Sequence, residues 1–243
     1  MRKFIEKNRY SKRLMEIFLY NRFYGYPSFR LKKFAERVSA LVPSGTRILD
    51  AGAGECIYKK YFPRAEYVSQ DMCIGNKDWN FNKIDIKSNI YDIPVKDESF
   101  DFILCMEVLE HLRYPDRAFR EFARILKPEG KLFLVCPLVW EEHQKPHDYF
   151  RYTQFALNSL ADESGFEATW MEKQGGKFIV LSMLITGIIP SFFMERNFIN
   201  TGRFFEIIFY PIMFPVAFIL YCLDKFDKNK ELTLQYECIF VKK

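Results

Sequence analysis

The chain has 243 residues, enough for one domain of ordinary size and an appendage. With 49% hydrophobic residues, 26 Phe and 14 Tyr, the composition excludes a disordered chain. The net charge of +5 is unevenly spread: residues 1–37 carry eleven Lys/Arg against Glu6, Glu16 and Glu36, a local +8 that leaves −3 for the remainder.

Cys56, Cys73, Cys105, Cys136, Cys222 and Cys238 show no C-x-x-C spacing, and several fall in apolar runs. They read as reduced core thiols of a cytosolic protein, not as a disulfide framework or a zinc site. The basic, aromatic N-terminus has no clean apolar core with a small-residue cleavage site, so no secretory signal is expected.

Residues 2–40 read as two helices broken near Gly25-Tyr26-Pro27, with Leu14, Ile17 and Phe18, then Leu31, Phe34 and Val38, at helical spacing. Such a basic amphipathic segment suits either an anionic membrane or RNA surface, or a solvated helix packed on the domain.

Arg47-Ile48-Leu49-Asp50-Ala51-Gly52-Ala53-Gly54-Glu55 is an apolar strand running into D-x-G-x-G, a turn whose glycines let a ligand approach the backbone. A helix is expected from about 55 to 62. A dinucleotide fingerprint would have a glycine where Ile57 stands, and a P-loop would need Gly-Lys-Ser/Thr, which is absent. Glu55 at the helix start would oppose a pyrophosphate and tolerate an ammonium group, so S-adenosylmethionine fits better than NAD or ATP. The plain alternative is a glycine turn between strand and helix.

From here strands are expected near 47–52, 65–71, 83–86, 99–106 and 131–137, with helices near 55–62, 115–127 and 153–164. Asp71, at the end of the second strand, is placed to take ribose hydroxyls. Ala118, Phe119, Phe122, Ile125 and Leu126 form one core-facing stripe, and the helix should stop at Lys127-Pro128-Glu129-Gly130.

The motifs LDAGAGE, Asp71, DIPVKDESFDFILCMEVLEH and ARILKPEGKLFLVCP, in this order and spacing over roughly residues 45–175, resemble the class I S-adenosylmethionine-dependent methyltransferases, specifically the type-11 subgroup. The resemblance implies an α/β, Rossmann-like seven-stranded sheet with an antiparallel last strand. It also implies that Asp50, Gly52 and Gly54 hold the methionine part of the cofactor and Asp71, followed by Met72, the ribose. Asn89 replaces the family's usual acidic residue facing the adenine amino group, and Ile90 would lie against the ring; Asn can still accept through its carbonyl oxygen.

Glu107, Glu110 and His111 form E-x-x-E-H, which on a helix would share one face. His147 precedes a helix that Thr153 could cap. Glu107, His111 and His147 are the expected catalytic residues bordering the acceptor. With Glu110 they could also hold Mg²⁺ or Mn²⁺, and Zn²⁺ after these. This constellation is similar to that of the small-RNA 2′-O-methyltransferases and ubiquinone-biosynthesis O-methyltransferases, where a divalent metal helps bind or activate an oxygen acceptor. The alternative is that both glutamates buttress the loop and His111 is a core residue. His143, in Glu141-Glu142-His143-Gln144-Lys145, reads as solvated loop ahead of a substrate-facing lid.

Residues 178–194 and 207–223 are uncharged, 17 residues each, with Pro190, Pro211 and Pro215 interrupting them. Each is just short of the ~20 residues of a spanning helix. A membrane-dipping hairpin is the first reading, a buried helical cap or dimer interface the second, true spanning the third. Residues 232–241 read as a strand that the family would pair with 167–174, making the apolar segment an insertion before the last strand.

The expected organisation is a basic helical segment (1–40), a methyltransferase core (41–175), an apolar helical insertion (176–226) and a closing strand (227–243). The expected function is O-methylation of a lipid-linked or cell-envelope glycan, or another hydrophobic hydroxyl acceptor, by a protein peripheral or monotopic at the inner face of a membrane. An RNA 2′-O-methyltransferase fits the apolar insertion poorly, so nucleic acid is not the expected partner. A non-catalytic cofactor-binding membrane scaffold is the reading from a different class.

Overall fold

The computed structural model describes residues 26–75, 79–194 and 201–243. The first expected N-terminal helix and most of the basic segment lie outside them. The described chain divides into two compact units: Leu31–Gln174 with Gln235–Lys243, and Gly175–Leu234 together with the residues up to Arg30.

The larger unit is a seven-stranded sheet of β1 (Arg47–Ala51), β2 (Glu66–Asp71), β3 (Ile86–Lys87), β4 (Phe100–Met106), β5 (Leu126–Pro137), β6 (Phe166–Gln174) and β7 (Gln235–Lys242). The strand order is β3-β2-β1-β4-β5-β7-β6, with β7 antiparallel to both its neighbours and the other pairs parallel. The expected Rossmann-like sheet with an antiparallel last strand is therefore present, and β6 and β7 pair as the family resemblance implied.

The period of two along each strand sorts the core onto two faces. Leu49, Ile103, Cys105, Leu134 and Cys136 pack with Ala118, Phe119, Phe122 and Ile125 of α2 (Pro115–Ile125) and Leu157 and Ala161 of α3 (Gln154–Glu163). Ile48, Phe102, Leu104, Phe133 and Val135 pack on the other face with Phe34, Ala35 and Val38, from α1 (Tyr26–Ser39). Pro115 starts α2, where its missing N–H costs nothing, and the Thr153 side chain accepts from Ala156 N to cap α3.

Three local expectations change. No α-helix follows the glycine loop: Cys56 takes φ +57°, and only a 3₁₀ turn forms at Lys59–Tyr61 before Pro63. Eight residues are too few to repay helix nucleation unless an apolar face packs them, and the macrodipole argument for Glu55 falls with the helix. The third strand is Ile86–Lys87 alone, because Asp85 turns its carboxylate back onto Ser69 N and Oγ. The last parallel strand starts at Leu126, which pairs with Phe100 before Lys127-Pro128-Glu129-Gly130 loops out and pairing resumes at Phe102↔Lys131.

In the smaller unit α4 (Lys177–Met194) and α5 (Thr201–Leu223) pack on each other. The N–H groups at the start of α4, which have no partner within the helix, are satisfied by two acids: Gly176 N and Ile179 N donate to Asp224, and Lys177 N donates to Asp227. Among the described residues no helix is long and apolar enough to cross a membrane.

Candidate active site

The parallel strands end in loops that surround a cavity of about 740 Å³, within the range of small-molecule sites. Position 52 admits only glycine on two counts: φ is +76°, and a Cβ would lie 2.5 and 2.7 Å from the methyls of Val108. The loop is pinned by Gly52 N and Ala53 N, both donating to Gln70 O at 2.8 and 2.9 Å. Gly54 N donates to Asp71 Oδ2 at 2.9 Å, and the other oxygen accepts from Cys73 N. Each oxygen of Asp71 keeps a second lone pair, so the carboxylate can shape the loop and still meet a diol.

Gly52, Gly54, Asp71, Met72, Asn89, Ile90, Glu107, His111 and His147 all contribute to the wall of this one cavity. Asn89 Oδ1 accepts from Tyr91 N at 3.1 Å, leaving its amide N–H groups and one lone pair for a ligand. Asp50 does not reach the wall. It is buried behind the loop, hydrogen-bonded to the Tyr67 hydroxyl, and burial pushes its carboxyl up to about 7.

Glu107 and Glu110 belong to the turn after β4. Glu107 sits at φ +56°, an uncommon conformation for a side-chain-bearing residue and one that marks functional turns. The E-x-x-E-H segment is a 3₁₀ turn at Leu109–His111 rather than an α-helix, so the three side chains do not share a helical face. Glu110 is fully buried and lies behind the wall. One oxygen of Glu107, both of Glu110 and Nε2 of His111 have no hydrogen-bond partner, and Glu110 Oε1 stands 3.8 Å from His111 Nε2. Burial pushes the Glu107 carboxyl up to about 7 and Glu110 well above the carboxylate range, where Glu107 adds to the rise; it pushes His111 down. His111 Nδ1 is 2.7 Å from the carbonyl oxygen of His147. A carbonyl only accepts, so Nδ1 carries the proton and Nε2 is the free acceptor.

His147 contributes its backbone more than its ring to this cluster. The ring that joins His111 is that of His143, edge-on with centroids 4.6 Å apart. One ligand atom from each of Glu110, His111 and His143 lies within 4.8 Å of the others. Of the four expected metal ligands, Glu110 and His111 fall in this group, which could hold a metal ion, while Glu107 and His147 do not and His143 joins it. Glu110 and Nε2 of His111 lack hydrogen-bond partners, whereas His143 Nδ1 is 3.1 Å from Glu141 O; two imidazoles and a carboxylate would suit Zn²⁺ or a similar transition ion better than Mg²⁺. Sequence reading missed His143, Trp79, Tyr91 and Tyr149, which meet in or beside the cavity. The available signal was topological: all four lie in segments following the carboxyl ends of parallel strands.

Residues 49–134 match the family described as "Methyltransferase domain". An uncharacterized protein of Methanocaldococcus jannaschii is 35% identical over 109 residues, 44% of this chain and 45% of the relative. A ubiquinone biosynthesis O-methyltransferase of Xanthomonas axonopodis pv. citri is 33% identical over 112 residues, 41% of this chain and 46% of the relative. The chain spans about half the length of the curated relatives it matches. Among solved structures, a candidate sarcosine dimethylglycine methyltransferase from Galdieria sulphuraria superposes with TM-score 0.55 at 18% identity, over 88% of this chain and 85% of that one. The family match, the seven-stranded topology and the cavity beneath the glycine loop agree: residues 49–134 match a methyltransferase domain, and the sheet around them has the fold of the solved methyltransferase it superposes on.

Proposed function

We propose that this protein methylates an oxygen acceptor, with His111 as the group that takes the hydroxyl proton. The observation that carries this reading is a buried His111 Nε2 with no hydrogen-bond partner, 3.8 Å from Glu110 Oε1, on a ring whose Nδ1 proton is already committed to the His147 carbonyl. S-adenosylmethionine, when bound, supplies an electrophilic methyl on a sulfonium that leaves as a neutral thioether. The glycine loop, Asp71, Asn89 and Ile90 bind and orient the donor, an effect that for two aligned reactants reaches roughly 7–11 kcal/mol. Glu107 and Glu110 are held partly or wholly protonated by burial, so they do not trap His111 as an imidazolium. His111 Nε2 would take the hydroxyl proton of an acceptor whose oxygen receives the methyl group. The test is transfer of labelled methyl from S-adenosylmethionine to hydroxyl-bearing lipid extracts. His111→Ala should lower turnover about 10²-fold or more while S-adenosylhomocysteine still binds; unchanged turnover would refute the role.

The finer reading is a lipid-linked or cell-envelope glycan, or another hydrophobic hydroxyl compound, met at the inner face of a membrane. Its support is an uncharged apolar row, Ile212, Val216, Ile219, Leu223 and Phe226, running along α5 and the turn after it with exposures of 65, 39, 57, 38 and 78%. Such a row is what an interfacial helix lays into lipid. Flotation with vesicles containing phosphatidylglycerol tests it: Ile219→Glu with Phe226→Glu should release the protein, and equal flotation would count against lipid.

A second reading follows from Glu110, His111 and His143: the three hold a divalent cation that polarises the acceptor oxygen, in place of His111 acting as a base. Metal analysis of the purified chain before and after chelation decides between them. Stoichiometric metal lost in Glu110→Gln supports the cation, and metal-free protein with full turnover rejects it.

A further inference from the structure

The loop between β5 and α3 carries two residues that no role has yet absorbed. Arg151 spends nearly all of its guanidinium inside this loop. Nη1 and Nη2 donate to the two oxygens of Asp148 at 2.7 and 2.8 Å, a bidentate fork. Nη2 also donates to Glu141 O at 2.8 Å, Nη1 to Phe150 O at 2.8 Å and Nε to Trp140 O at 3.3 Å. One side chain therefore ties the outgoing end of the loop, Trp140 and Glu141, to its returning end, Asp148 and Phe150.

Asp148 is the buried half of the fork, its side chain only 4% exposed. Its Oδ2 accepts from His143 N at 2.9 Å and stands 3.5 Å from His143 Nδ1, while Oδ1 stands 4.0 Å from His111 Nδ1. Tyr149 N and Phe150 N, which flank this carboxylate and the arginine, both donate to the carbonyl of Glu110. The same short stretch thus presents the His147 carbonyl to His111 Nδ1, sets the His143 ring against the His111 edge and anchors itself on the turn holding Glu110.

We propose that Asp148 and Arg151 are a positioning pair that closes the 138–153 loop and so fixes both the tautomer of His111 and the placement of His143 beside it. Neither residue is among those forming the cavity wall, so they act through the histidines. Without the fork, the two loop ends lose their common partner, the His147 carbonyl is free to leave Nδ1, and His111 can revert to the Nε2–H tautomer that free imidazole side chains favour. Nε2 would then be a donor and useless as a proton acceptor. Lysine cannot replace the arginine, since a point charge with three donors cannot make five directed bonds in one plane.

The inference rests on the reading of His111 as the acceptor-side residue only for its consequence; the tautomer is testable without turnover. The experiment uses the full chain labelled with ¹⁵N-histidine, a long-range ¹⁵N–¹H correlation spectrum, and His111→Gln to assign the signal. Wild type should show His111 as one neutral species protonated at Nδ1. Arg151→Lys and Asp148→Asn should both convert it to a mixture or to the Nε2–H form, with S-adenosylhomocysteine affinity within about twofold because the glycine loop and Asp71 are untouched. Wild-type His111 protonated at Nε2 would overturn the proposal outright, whether or not either variant folds. So would variants that bind S-adenosylhomocysteine normally and keep the Nδ1–H form. Failure of the methyltransferase reading would appear separately, as absent S-adenosylhomocysteine binding in wild type.

Discussion

An alanine at position 52 would meet two separable penalties. The backbone there has φ +76°, a left-handed conformation that costs an L-residue about 1–2 kcal/mol. The new Cβ would also fall 2.5 and 2.7 Å from Cγ2 and Cγ1 of Val108, a β-branched side chain with no flexible end to swing aside. Overpacking of that kind costs about 1–3 kcal/mol. The two together come to roughly 2–5 kcal/mol, a large part of the ~5–15 kcal/mol that holds a typical domain. Urea unfolding followed by circular dichroism should show a lower midpoint at unchanged slope. Val108→Ala removes both offending methyls, so Gly52→Ala should cost about 1–3 kcal/mol less in that background, leaving the backbone strain and a 3.2 Å approach to the Cβ of residue 108. A single variant within ~0.5 kcal/mol of wild type, or an equal cost in both backgrounds, would refute the reasoning.

Stability should fall as pH rises from about 4.5 through about 7, because Glu107 is protonated in the folded chain over a range where it would ionise unfolded. Glu110 acts in the same direction, so Glu110→Gln should flatten that decline and stabilise the protein at pH 8; a steeper decline would contradict the burial argument. Tyr67→Phe removes the hydrogen bond to buried Asp50 and should cost about 1–3 kcal/mol in urea unfolding. Asp71→Ala strips Gly54 N and Cys73 N of their acceptor and should weaken S-adenosylhomocysteine binding about 10–100-fold by calorimetry.

The parts legible in the sequence are those where one local rule dominates. The period-two burial of Phe102, Leu104 and Met106 against Ile103 and Cys105 follows from strand geometry. The apolar stripe of α2 and its Pro115 start follow from helix geometry and the missing proline N–H. The misread segments are those where a side chain competes with the backbone. Cys56 enters the left-handed region and ends the expected helix, and Asp85 folds back on Ser69 and shortens β3. The site divides in the same way. Gly52, Gly54, Asp71, Asn89 and Ile90 lie close to the strand ends that place them, so sequence spacing was enough to group them. His143 and His147 lie in a loop whose conformation depends on Arg151 gathering carbonyls 10 and 11 residues away, and no periodicity encodes which ring will face His111.

The central claim, that the cavity under the glycine loop binds S-adenosylmethionine through Asp71 and uses His111 on the acceptor side, is tested most directly by calorimetric titration. Wild type, Asp71→Ala and His111→Ala would each be titrated with S-adenosylhomocysteine. The account predicts a dissociation constant on the order of micromolar for wild type and His111→Ala, and loss of most of that affinity in Asp71→Ala. No heat of binding in wild type, or equal affinity in Asp71→Ala, would contradict it.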